Sequence, residues 1–151
     1  MAVNTNVRNY NNYIDWRSNS ITGSFGNCGG PQSDSSNVFT IFQWNCHGLN
    51  AHKEELKMHL SSIRTKYDIM CLKETLLRNV TSDFNIPGYK TIRRDRPDRA
   101  GGGLVTLVKD TLNFSELDSS QNIECIYIRV KSKCGYINVA NVYLPPNSNY
   151  N

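Results

Sequence analysis

"VFTIFQWNCHGLNAHKEELKMHLSSIRTKYDIMCLKE", Val38 to Glu74, sets the architecture of this chain. Its opening "VFTIFQW" is rich in β-branched and aromatic residues, the composition of a buried strand, and "DIMCLKE" (Asp68 to Glu74) reads as a second strand. Between them Leu56, Leu60, Ile63 and Tyr67 recur at the spacing of one helical face. Asn50 is placed to cap this helix, and Glu54 and Glu55 fall in its first turns, where negative charge suits the helix dipole. Strand, helix, strand is a βαβ unit. Both of its strands end on residues that a core rejects, Asn45 after "FQW" and Glu74 after "MCLK". A carboxylate at the end of an apolar strand belongs at a mouth, in an ion pair or on a metal, or else faces water. If the two strands lie side by side their ends coincide, and the two side chains offer hard oxygen donors to one Mg²⁺.

Outward from this unit the texture changes on both sides. Residues 1–37 are rich in Asn, Ser and Gly, with no sustained period of 2 or 3.6, and are expected to form a disordered polar leader because they bury too little apolar surface to offset ordering. On the other side, "NIPGYKTIRRD" places a Pro87-Gly88 turn before a strand. A basic loop follows with Arg93, Arg94, Arg96 and Arg99 against two Asp, a local net charge of +2, and then the run Gly101 to Gly103 opens directly into the strand "LVTLVKD". No helix follows those glycines, so they read as a flexible lead-in and not as a phosphate cradle. "IECIYIRVK" and "GYINVANVYLPP" alternate and are joined by "SKCG", the pattern of a β-hairpin, and Asn141 and Tyr143 fall at its far end. Pro145 and Pro146 close that strand, whereas a complete α/β sandwich needs a further helix, so residues 38–151 are expected to be the N-terminal portion of a larger domain.

Composition narrows the partners. The 151 residues carry a net charge of +4 and a pI near 8.8, a mild bias toward polyanions. No segment approaches the roughly 18 apolar residues of a membrane span and no secretory signal pattern is present, which predicts a soluble intracellular chain, in nucleus or cytoplasm. The five cysteines form no C-x-x-C pair, and Cys46, Cys71 and Cys125 lie in or beside strands where a reduced thiol packs as a small apolar group. His47, His52 and His59 read as surface residues.

Four stretches, "FQWNCHGLN", "DIMCLKETLL", "FNIPGYKTIRRDRPDRAGGGLVTLVKD" and "NVANVYLPP", occur in this order. Together they resemble the N-terminal half of the endonuclease/exonuclease/phosphatase family, most nearly the apurinic-endonuclease-like domain of LINE-type retrotransposons, elements without long terminal repeats. The resemblance runs from about Val38 to Asn147. It implies an α/β fold, a two-sheet β-sandwich flanked by helices and here partial, and a Mg²⁺- or Mn²⁺-dependent hydrolysis of DNA phosphodiesters. It also implies DNA as partner, together with the reverse transcriptase domain of the same polyprotein.

In similar proteins the Asn of "W-N-x-x-G" and the Glu of "Q-E-T" lie in the metal site, with the Glu on the ion, and the Tyr of "N-V-Y-x-P" holds the scissile phosphate. These match Asn45, Glu74 and Tyr143. The Arg93, Arg94, Arg96 and Arg99 loop resembles basic loops of the retrotransposon subgroup and is expected to touch the DNA backbone, or else to pair with its own Asp residues. Two departures stand out. Lys73 occupies the place of the usual Gln, either beside the carboxylate or turned across the strand to solvent. The family's Asp-x-Asn pair, a later Asp and the Ser-Asp-His that supplies the general base have no counterpart, so the chain alone is expected to cleave barely or not at all.

Overall fold

The structure is a computed structural model and describes residues 21–25, 39–62, 67–78, 84–96, 101–118, 123–132 and 135–144. Eight strands and one helix fall among them. These are β1 (Ile21–Phe25), β2 (Phe39–Asn45), α1 (Lys53–Ser62), β3 (Ile69–Lys73), β4 (Tyr89–Arg94), β5 (Leu104–Lys109), β6 (Phe114–Leu117), β7 (Glu124–Ser132) and β8 (Gly135–Tyr143). They make a five-stranded sheet in the order β1-β2-β3-β5-β4 and a three-stranded sheet in the order β6-β7-β8, a two-sheet α/β arrangement.

The βαβ unit forms as the sequence predicts: β2 and β3 are parallel, with Asn45 opposite Lys73. Helix α1 starts later than Asn50, because Ala51 and His52 close tight turns onto Gly48 and Leu49 first. His52 precedes the helix, and its Nδ1 lies 2.9 Å from the Glu55 carboxylate three residues on. The rest of the central strands follow from their composition. β3 and β5 are buried along almost their whole length, and both read as continuous apolar runs because both faces of the sheet are covered.

On one face Phe42, Trp44, Met70, Leu72, Val105 and Leu107 pack against Leu56 and Leu60 of α1 and against the loop residues Leu49, Leu77 and Phe84. On the other, Ile69, Cys71, Ile92, Leu104 and Val108 meet Ile126, Ile128, Val130 and Val139 of the smaller sheet. Each large side chain buried in these two layers contributes about 1.5–3 kcal/mol.

Two polar ties set the alignment of the layers. Asp68 accepts from Thr40 N–H at 2.9 Å and pairs with Lys109 at 3.4 Å, joining β2, β3 and β5 at one end. At the other end Asn141, only 1% exposed, reaches across the gap between the sheets. Its Nδ2 donates to Leu72 O at 3.3 Å, Val105 O at 3.1 Å and Thr106 Oγ1 at 3.2 Å. A buried carboxamide is costly unless it is bonded in this way, so Asn141 fixes where β8 lies on the larger sheet.

Two expectations need correction, and one strand was not anticipated. Ile21–Phe25, inside the stretch expected to be a disordered leader, pairs antiparallel with β2 from Ile21 opposite Gln43 to Phe25 opposite Phe39; the edge of β2 offers backbone partners that make up for a weak local pattern. The rest of residues 1–37 lies outside the described residues. Phe114–Leu117 pairs with β7, a strand too short to show a period. And the helices expected to flank the sandwich reduce to α1 among the described residues.

His59 departs from its surface reading as well. It is packed against Phe42 and Tyr67 at ring distances of 5.5 and 5.9 Å, with Nε2 3.1 Å from the Tyr67 hydroxyl. Burial holds its pKa below the usual 6.5, with Glu55 opposing. A histidine depressed in the folded state contributes stability that is complete above its unfolded pKa and is lost as pH falls through the folded value. The urea midpoint should therefore drop on going from pH 7.5 to 5.5, and His59→Phe should remove that part of the drop; an unchanged drop would refute the assignment.

Candidate active site

Parallel pairing of β2 with β3 brings their C-terminal ends to one rim, and β8 ends over the same place. Asn45 and Lys73 lie on the face turned toward the smaller sheet, since side chains alternate along each strand. Tyr143 follows Asn141 by two residues and so shares its inward face.

Just past β3 the backbone turns sharply. His47, Glu74 and Leu76 all have left-handed φ angles of 42°, 51° and 51°, an uncommon state for residues with a Cβ. A ladder of main-chain bonds holds them there. Cys46 N–H donates to Lys73 O at 2.9 Å, Gly48 N–H to Glu74 O at 2.8 Å and Leu49 N–H to Thr75 O at 2.8 Å, while Thr75 and Leu76 donate to Gly103 O and Gly102 O at 3.1 and 3.0 Å.

The outcome is a carboxylate held by two side chains, with a phenol beside it. Asn45 Nδ2 donates to Glu74 Oε1 at 3.0 Å, His47 Nδ1 lies 3.0 Å from Glu74 Oε2, and the Tyr143 phenol is close enough to act on the same carboxylate. An ionised carboxylate only accepts, so this arrangement requires the hydrogen of His47 on Nδ1. Glu74 is 21% exposed, at a mouth and not in the core. Burial is the largest single influence on its pKa and raises it, but the hydrogen bonds from His47, Asn45 and Tyr143 together outweigh burial and hold the group below 4.5. Burial and the neighbouring Glu74 charge raise the Tyr143 phenol. Cys46, 2% exposed and donating its thiol to Lys73 O at 3.0 Å, is pushed up to about 12 by burial and is no nucleophile.

Of the basic loop, Arg93 pairs with Asp95 at 2.7 Å and Arg94 donates to Cys125 O at 2.7 Å, so both are engaged within the protein. Arg96 reaches the rim: its guanidinium lies 5.7 Å from the Tyr143 ring centroid and its Nε pairs with Glu124 at 2.6 Å. Arg99 lies outside the described residues. Glu124 was not singled out in the sequence, where its one signal is a carboxylate opening the apolar run "ECIYIRV". Its other oxygen accepts from Gly103 N–H. The glycines are no slack lead-in: a Cβ on Gly103 would stand 2.5 Å from Thr75 Oγ1, and one on Gly102 would stand 2.9 Å from Arg96.

Glu74 has the chemistry of a Mg²⁺ or Mn²⁺ ligand, a hard ionised oxygen donor at an open rim, and Mg²⁺ commonly takes one or two carboxylates with water and phosphate completing its shell. Asn45 turns its nitrogen to Glu74 and its oxygen to His47 N–H at 3.4 Å, which makes it a holder of that ligand in this arrangement. No group of three or more His, Cys, Asp or Glu suited to a metal occurs among the described residues. No family model matches the sequence.

Proposed function

We propose that this chain is part of a Mg²⁺-dependent DNA endonuclease domain of the endonuclease/exonuclease/phosphatase type, from a LINE-type retrotransposon, in which it would act beside a reverse transcriptase. The observation that carries the reading is the meeting of Asn45, His47 and Tyr143 on the Glu74 carboxylate at the mouth between two sheets. Nothing in strand packing requires an ionised carboxylate held by neighbouring side chains at that point, whereas a metal-dependent phosphodiesterase uses one to hold a cation.

The reaction is in-line hydrolysis. The oxygen of water forms a bond to phosphorus, the bond from phosphorus to a sugar oxygen breaks, and that oxygen leaves with a proton. A bound Mg²⁺ would supply charge stabilisation on the phosphate. In this chain Glu74 would hold the ion, Asn45 and His47 fix the carboxylate, Tyr143 would turn its one O–H from Glu74 to a phosphate oxygen, and Arg96 would face the DNA backbone. Supercoiled plasmid incubated with the purified chain should be nicked slowly with Mg²⁺ and not with EDTA. A second reading is favoured by the absence, among the described residues, of a group of three or more metal-ligating side chains: a retroelement remnant that only binds nucleic acid. Salt-sensitive duplex binding with neither nicking nor Mn²⁺ binding at Glu74 would select that reading and reject the first.

A further inference from the structure

We infer that Glu124 is a positioning residue whose task is to fix Arg96 as a phosphate clamp at the Glu74 rim, a step that rests on the phosphodiester reading above. Within the described residues Glu124 is the group that pairs with the Arg96 guanidinium, and its side chain is 9% exposed. One oxygen lies 2.6 Å from Arg96 Nε in an ion pair and the other accepts from Gly103 N–H, so the carboxylate is held at the entry to β5 and holds the arginine in turn. The glycine run is shaped around this pair, because a Cβ on Gly102 would meet the Arg96 guanidinium at 2.9 Å and the Glu124 carboxylate at 3.0 Å.

The arginine it holds is 26% exposed and 5.7 Å from the ring of Tyr143, the strand-end residue of β8 beside Glu74. A guanidinium presents five donors in a rigid fork; with its Nε edge set against Glu124, its terminal amino groups are the part turned to an oxyanion. Charge is not what Glu124 adds, since it cancels that of Arg96. What it adds is direction, and this separates the inference from simple electrostatics by sign.

Glu124→Gln keeps an acceptor for Gly103 N–H and raises the net charge by one unit. If Glu124 only offsets positive charge, the variant should bind DNA more tightly. If it aims Arg96, binding should weaken. Affinity of the full chain for a duplex oligonucleotide, measured by fluorescence anisotropy across a salt series, reads this directly. Arg96→Ala should weaken binding roughly tenfold, the loss of one charge-assisted contact, and lower the salt slope by about one.

Glu124→Gln should weaken it by a similar factor, and should cost nothing more in the Arg96→Ala background, because residues acting through one contact do not add. Tighter binding by Glu124→Gln, or a full additional loss in the double variant, overturns the inference. Should Glu124→Gln not fold, Arg96→Lys stands in for it: charge is kept and the fork is lost, and wild-type affinity would refute the clamp.

Inorganic phosphate, followed by NMR at Arg96 Nε–H and the Gly103 amide, separates the two levels. Shifts there without duplex binding sustain the clamp and reject DNA as ligand. Duplex binding indifferent to Arg96→Ala rejects the clamp and leaves DNA standing. No response to either probe rejects both.

Discussion

Glu74→Gln should eliminate Mg²⁺-dependent nicking, a loss of more than about 10²-fold if one metal ligand supplies several kcal/mol of transition-state stabilisation. The amide is close in shape to the carboxylate and cannot ionise. It also turns an N–H₂ toward one of the two groups that now donate to it, Asn45 Nδ2 or His47 Nδ1. With the group partly exposed, the cost to stability should stay near about 1 kcal/mol, the range of one net hydrogen bond.

A second readout does not depend on turnover. Mn²⁺ added to the wild type should broaden the NMR signals of His47 and Tyr143, and should leave them sharp in Glu74→Gln. Persistent broadening in the variant would remove Glu74 from the metal site. Wild-type stability should also fall as acid protonates this carboxylate. Its folded pKa is depressed below 4.5, so its contribution is present above the unfolded value and is lost as pH drops through the folded one.

Gly103→Ala should be the most damaging single-methyl change in the rim. The residue has φ +89°, and the added carbon would stand 2.5 Å from the buried Thr75 Oγ1. Left-handed backbone costs about 1–2 kcal/mol for a residue with a Cβ. Overpacking adds about 1–3 kcal/mol, so a loss of roughly 2–5 kcal/mol should appear as a lower urea midpoint.

Gly101 is the control. Its φ of +96° brings the same kind of strain, but nothing lies within 4 Å of its added carbon, so Gly101→Ala should cost only the backbone share. Equal losses at the two positions would show that the contact with Thr75 has no weight. Because Thr75 follows Glu74 and bonds to Gly103 O at 3.1 Å, Gly103→Ala should also misplace the carboxylate and weaken Mn²⁺ binding, which Gly101→Ala should not.

Much of this molecule is written locally. "VFTIFQW", "DIMCLKE" and "LVTLVKD" are buried strands, and the alternation of "IECIYIRVK" and "GYINVANVY" is a hairpin, because side-chain periodicity and β-branched content act over a few neighbouring residues. Asn45 and Glu74 were legible for the same reason: each is a polar residue at the end of an apolar run. Tyr143 needed the motif around it, since a strand-end tyrosine by itself says little.

The rest was decided by contacts between residues far apart in the chain. Register put Asn45 opposite Lys73 and so left Glu74 beyond the strand, at the rim. Asn141, which reads as a strand-end residue, became the buried tie that carries β8 across the larger sheet. The Arg93 to Arg99 loop reads as one basic patch, yet Asp95, Cys125 and Glu124 divide its described members into two internally engaged arginines and one aimed at the rim. Glu124 itself lies far along the chain from Arg96, and His59 was drawn inward by two aromatic rings. The sequence by itself therefore determined the strands, the βαβ unit and the two polar strand ends, which depend on local pattern. Only the tertiary structure decided which polar groups meet, because a hydrogen bond or ion pair between distant segments is set by sheet register and packing, and no short-range period encodes either.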